Sequence, residues 1–280
     1  MYENVVIGVD NDSDGRDSLV LADALAAAGA RISLTHIWSR LEGVVSAATD
    51  APWPAQEAEA LLKGVAAHLP RAGRTIGREA GTVRDGLHAL CAELGADLLV
   101  VGTGHRTAGI VHGSPCDVAV ASPGLAGGGW ELKRVTVGSE HPVDDASVIA
   151  AARELATSQG GGLDVVSVLA PPSAWTPGPV AAAEVLAEIS GDAEAERRAE
   201  LVAAGAQDAR VAEGNPVLLL SQESAGHDLL VLGADTRRGR SPGLAASRTI
   251  DALLGRARGP VLVTARDRHD HDEGTPRPEG

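Results

Sequence analysis

The chain contains no phenylalanine, one tyrosine (Tyr2) and four tryptophans among 280 residues. Recognition of RNA or single-stranded DNA stacks bases on aromatic rings, so nucleic-acid partners are disfavoured. Basic residues are also in deficit: 24 Lys and Arg against 38 Asp and Glu leave a net charge of −14. A surface of that sign repels phosphate backbones and anionic lipid, and it also serves plain solubility. The two cysteines, Cys91 and Cys116, are too few for a disulfide framework or a zinc cluster and read as buried free thiols. No apolar run is long enough to span a bilayer. The first strand-like run, residues 4–9, begins almost at once, which points to a cytoplasmic chain without a signal peptide. The loop after the first strand, residues 8–13, is not a GxGxxG dinucleotide loop, which disfavours a dinucleotide dehydrogenase.

What the chain does have is an apolar content of 44 %, carried mostly by Val, Leu, Ile and Ala. That composition suits buried parallel strands under Ala-rich helices. The chain also repeats itself. Residues 95–102 (GADLLVVG) recur as residues 226–233 (GHDLLVLG), an offset of 131 (226 − 95). At the same offset residues 32–37 match residues 163–168, and Gly8 matches Gly138 at 130 (138 − 8). Strands alternate with helical patterns in the same order in each half, which predicts two tandem doubly wound α/β domains. Each should carry a five-stranded, mainly parallel sheet flanked by helices. The expected boundaries are 1–123 and 132–266, with a Gly-rich linker at 124–131 and a charged, disordered tail at 267–280. His269 and His271 in that tail read as solvated residues rather than metal ligands. Helices are expected at 16–28, stopped by Gly29, at 82–94, stopped by Gly95, and at 245–256.

Open α/β sheets bind ligands at the carboxyl ends of their strands, where the winding switches direction. Two loops per half therefore carry the candidates. Asp10 stands after the first strand, where a carboxylate can accept hydrogen bonds from a ribose or adenine group or can simply cap the next helix. After the fourth strand of the second half, residues 233–243 carry Arg237, Arg238 and Arg240 and lead to Ser247 at a helix start. That arrangement suits either a phosphate cradle or a solvated loop before a Ser-capped helix.

With these residues in view, the chain resembles the universal stress protein family in tandem form. The resemblance rests on Gly8-Val9-Asp10, on Thr35-His36-Ile37-Trp38, on the repeated Gly-x-Asp-Leu-Leu-Val-x-Gly and on Gly259-Pro260-Val261-Leu262-Val263. It implies a Rossmann-like fold of the adenine-nucleotide-binding type and, in some members, an ATP-type site with the signature Gly, two residues, Gly, nine residues, Gly, then Ser or Thr. Neither half keeps that signature. In the second half Gly233 and Ser247 match, while Thr236 and Ala246 replace glycines, and Glu140 stands near the place of Asp10. In the first half Gly102-Thr103-Gly104-His105 begins the segment. Only 15 steps then separate Gly102 from Asp117, against 28 from Gly233 to Val261, as if about one helix were missing. Two repairs are open: Gly113-Ser114 is the terminal pair, or residues 107–112 are a helix remnant and the phosphate segment is deleted. The cofactor-binding residues implied are Asp10, Ile37, Gly102, Gly104, His105, Glu140, Val168, Gly233, Thr236, Arg237, Ser247 and Thr249.

The leading expectation is a non-enzymatic stress-response regulator with weak or lost ATP binding and no metal requirement. The alternatives are an ATP-dependent switch working through residues 233–249, and a slow nucleotide hydrolase. The last lacks a nucleophile–base pair: Ser13, Ser114 and Ser247 have no elbow, and His105 is alone. The resemblance also implies pairing of the two halves through their last strands as an internal pseudo-dimer, with a homodimer as a further option.

Overall fold

The computed structural model describes residues 1–10, 15–39, 54–104, 107–169, 180–237 and 243–266. The first half runs β1 (Tyr2–Gly8), α1 (Arg16–Leu25), β2 (Ala26–Ser39), α2 (Pro54–Ala66), β3 (Ala72–Ala80), α3 (Val83–Leu94), β4 (Leu98–Gly102), α4 (Thr107–Val111) and β5 (Asp117–Ala121). The second runs β6 (Arg134–Ser139), α5 (Ala146–Ser158), β7 (Gly162–Leu169), α6 (Val180–Ala203), β8 (Arg210–Glu213), α7 (Pro216–Gly226), β9 (Leu229–Arg237), β10 (Gly243–Ala245), α8 (Arg248–Leu254) and β11 (Val261–Ala265). No described helix is long and apolar enough to cross a membrane.

The strand order is β3-β2-β1-β4-β5-β11-β9-β6-β7-β8, with β10 added beside β9. Within each half the five main strands are parallel, and the winding reverses between β1 and β4 and between β6 and β9. The halves meet where β5 pairs antiparallel with β11, Ala119 opposite Leu262. The two last strands thus join both sheets into one. Helices α1, α2, α5 and α6 cover one face through residues such as Leu21, Leu62, Ile149 and Leu201. Helices α3, α4, α7 and α8 cover the other through Leu90, Val111, Leu220 and Leu253. Each apolar layer crosses from one half to the other. Right-handed crossovers that run first towards β3 and then back past β1 require this division of helices.

Several local expectations hold. Thr82 caps α3 by accepting the Asp85 N–H at 3.1 Å, and left-handed Gly95 ends it. Others need correction. Helix α1 ends at Leu25 and not at Gly29: Ala26 turns extended and β2 starts there, pairing with Tyr2 of β1. Residues 26–28 are three alanines with high helix propensity, yet strand pairing prevails over that weak bias. The first half has not lost its fourth helix. Five residues of it remain as α4, against seven in α8. What shrank is the approach to that helix, which takes 5 steps from Gly102 to Thr107 and 15 from Gly233 to Arg248. In the second half residues 235–237 and 243–245 of that approach pair antiparallel. β9 continues to Arg237, and Thr236 faces Leu244 of β10, so Ala245 belongs to a strand and the helix begins only at Arg248.

Candidate functional site

Both switch points place sequence-selected residues at strand carboxyl ends, but each region is closed in a different way. In the second half Glu140, Val168, Gly233, Ser247 and Thr249 line one crevice together with Pro216, Leu220 and Arg266. That crevice encloses about 30 Å³. One water fits such a volume, whereas ligand pockets run to roughly 300–1,000 Å³.

An internal ion pair accounts for the closure. Arg266, the residue after β11, sends its Nε to Asp145 Oδ1 at 2.6 Å and its Nη1 towards Asp235 at 3.4 Å. Asp145, fully buried just before α5, also receives the Ser139 hydroxyl at 2.8 Å. Burial works against the Arg266 charge, but the hydrogen bond and charge of Asp145 outweigh it and hold the guanidinium above its ordinary pKa. The pair lies against Gly233: a Cβ added there would collide with Asp145 Oδ1 and stand 2.8 Å from Arg266 Nε. The space that the first signature glycine would leave beside a phosphate is therefore occupied by protein.

The neighbouring groups are engaged as well. Ser247, the signature hydroxyl, accepts the Ile250 N–H at 3.3 Å and so caps α8. Arg197 of α6 hydrogen-bonds the Glu140 carbonyl and, at 3.1 Å, the Ser167 hydroxyl, which itself donates to the Ser139 carbonyl at 2.8 Å. Thr236 does not join this crevice. It lines a separate cleft between the halves, beside Tyr2, Asp97 and Cys116. Arg237 pairs through its backbone with Gly243.

In the first half Asp10 follows β1 and is exposed. Next to it His36 Nδ1 donates to the Val9 carbonyl at 2.8 Å, and the His36 and Trp38 rings stack with centroids 6.4 Å apart. The Ile37 side chain belongs to the core, where it packs on Gly86 of α3. After β4 the described residues Thr103 and Gly104 have their backbone donors engaged. The Thr103 N–H and hydroxyl both donate to the Ala121 carbonyl, at 3.0 and 2.6 Å. The Gly104 N–H donates to Thr107 Oγ1 at 2.8 Å, and Thr107 is buried. Gly113 and Ser114, the alternative terminal pair, serve the second half: the Gly113 N–H donates to the Leu244 carbonyl and the Leu244 N–H to the Ser114 carbonyl, both at 2.9 Å. His105, Ser13, Arg238, Arg240 and the tail lie outside the described residues. No cluster of metal-ligating side chains occurs among the described residues.

Among the described residues of both halves, groups at the signature positions are engaged by other parts of the protein: Gly233 lies against the Asp145–Arg266 pair, Ser247 caps a helix, and the Gly104 N–H is held by Thr107. The sequence reading missed Arg266, Asp145 and Arg197. Arg266 follows the last strand and Asp145 precedes a helix, so each alone reads as a strand end or a cap. Only their approach across 121 positions gives them meaning.

The fold is a duplicated, doubly wound α/β domain. A model of the universal stress protein family matches residues 1–122 and 131–265. The chain belongs to that family. A functionally unknown protein of Pseudomonas aeruginosa PAO1 has the same fold, with a TM-score of 0.66 at 15 % identity over 95 % of this chain and 93 % of that one. A universal stress protein of Archaeoglobus fulgidus is similar at a TM-score of 0.60 and 13 % identity, covering 94 % of this chain and 98 % of the other. No curated protein matches the sequence.

Proposed function

We propose that this chain is a non-enzymatic stress-response regulator that has given up ATP binding and keeps the family scaffold for protein-level signalling. The observation that carries this reading is the Arg266–Asp145 pair against Gly233, in a crevice of about 30 Å³. Internal use of the Thr103 and Gly104 amides supports the same reading for the first half. The functional units are proposed as residues 1–123 and 132–266, joined by residues 124–131, in a cytoplasmic protein. Isothermal titration of the full chain with ATP tests the reading. The expected result is no saturable heat at micromolar nucleotide. Tight binding that Asp10→Ala and Ser247→Ala each abolish would overturn it and restore the ATP-dependent switch.

A further inference from the structure

A cavity of about 310 Å³ opens at the amino ends of β1, β2 and β3, the end of the sheet opposite the switch-point loops. Ligand pockets begin at about that size, roughly 300–1,000 Å³. Val6 of β1 pairs with Ser33 of β2, and Ser33 pairs with Arg74 of β3. The three side chains therefore share one face of the sheet, the face that α3 covers. Leu94 ends α3, and it lines the cavity together with Ala96 just beyond. A bulge shapes one wall: Ala72 pairs with Ile32 and Arg74 with Ser33, which leaves Gly73 as an extra residue on β3. Such a bulge re-aims the side chain beside it.

The polar groups around this cavity lack partners. Ser33 is 8 % exposed, yet its hydroxyl makes no hydrogen bond among the described residues. A buried hydroxyl left in that state is costly and is met by a polar atom from elsewhere. Arg74 is exposed and pairs with no acid among the described residues. Arg31 is exposed as well, with its Nε fixed by Asn4 Oδ1 at 2.6 Å. Arg71 also lines the wall but is consumed by Asp23, at 2.6 Å, and by the Asp23 and Ala27 carbonyls. In a chain with 38 acidic and 24 basic residues, two guanidiniums without a carboxylate beside one cavity mark a place for an anion.

The second half shows what such a space holds. The repeat offset puts His227 at the place of Ala96 (96 + 131) and Asp164 at that of Ser33 (33 + 131). The offset of 130 puts Thr136 at the place of Val6 (6 + 130). Thr136 and Asp164 are register partners, as Val6 and Ser33 are. The His227 ring lies 2.6 Å from the Thr136 hydroxyl and 3.4 Å from Asp164. A ring from the chain itself thus takes the position that Ala96 leaves open in the first half.

We propose that the first-half cavity binds a small cyclic carboxylate carrying a polar substituent. Its ring takes the place that His227 fills in the second half, against Val6, Leu94 and Ala96. The substituent meets the Ser33 hydroxyl, and Arg31 and Arg74 hold the carboxylate, which their planar guanidiniums match. This site is at the other end of the sheet from the ATP-type region, so it stands or falls separately from the loss of ATP binding.

The test is an amide chemical-shift titration of the full chain with 4-hydroxybenzoate, benzoate and inorganic phosphate. 4-Hydroxybenzoate should saturate by millimolar concentration and move the Ser33, Gly73, Arg74 and Ala96 amides. Benzoate, which leaves Ser33 unpaired, should bind more weakly, and phosphate should not saturate. Arg74→Gln should weaken 4-hydroxybenzoate by about tenfold, the worth of one charge-assisted hydrogen bond. Ala96→His, which copies the second half, should abolish binding. Arg74 is exposed and supports no other described side chain, so its variant keeps the test decisive even if Ala96→His folds poorly. Failure of both carboxylates to saturate would overturn the proposal. So would shifts that Arg74→Gln leaves unchanged, or phosphate binding as tightly as 4-hydroxybenzoate, which would reveal a plain patch of charge.

Discussion

At the residue scale the decisive pair is Asp145 with Arg266, whose side chains are 0 % and 14 % exposed. Removing one partner of a buried ion pair leaves the other uncompensated and costs about 3–5 kcal/mol. Arg266→Ala should therefore lower unfolding stability by about that amount in urea titrations, whereas Asp145→Leu combined with Arg266→Met should recover most of it. A loss below about 1 kcal/mol for the single variant would mean that water solvates Asp145 without difficulty. Gly243 offers a second test. Its φ of +139° is one that side-chain-bearing residues rarely adopt, and a Cβ there would run into the Gly113 carbonyl. Gly243→Ala should cost about 1–3 kcal/mol. It should also raise amide exchange at Gly113 and Leu244, whose N–H groups make the cross-half bonds.

At the element scale, legibility followed burial. The strands under both helical layers, such as 98–102 and 117–121, are short apolar runs that announce themselves in the sequence. Helix α3 was readable at both ends because Thr82 and Gly95 act locally. The antiparallel pairing of β9 and β10 was not readable: residues 234–237 are Ala, Asp, Thr and Arg, and their strand conformation comes from pairing with residues 243–245. The same reason hid the closed site. Family glycines and hydroxyls can be traced by spacing, but what occupies the space beside them depends on side chains distant in sequence. The visible cap yields a local prediction. Thr82→Ala should cost about 1 kcal/mol and fray the first turn of α3, which amide exchange at Asp85 would report. Fraying there should leave Cys91, at the other end of the helix, in place.

At the scale of the whole molecule the seam between halves is held by more than the β5–β11 ladder. Asp117 receives the Tyr2 hydroxyl at 2.7 Å, the Thr264 hydroxyl at 2.6 Å and the Ala265 N–H at 3.0 Å, so one carboxylate joins residues of both halves. Burial raises its pKa from the usual Asp value, although the Thr264, Tyr2 and Ala265 hydrogen bonds oppose the shift. The folded state then holds this proton more tightly than the unfolded state. The stability contributed by protonated Asp117 is complete below the ordinary Asp pKa and is lost as pH rises through the raised value. Urea titrations of the natural chain and of Asp117→Asn from acid to neutral pH isolate this term. The stability of the natural chain relative to the variant should fall as pH rises through that window. A difference that grows with pH would show that the three hydrogen bonds outweigh burial. Because both apolar layers also cross the seam, the two halves should unfold as one unit. Scanning calorimetry should give a single transition whose calorimetric and van't Hoff enthalpies agree. Two separable transitions would mean that the halves share a sheet without sharing their stability.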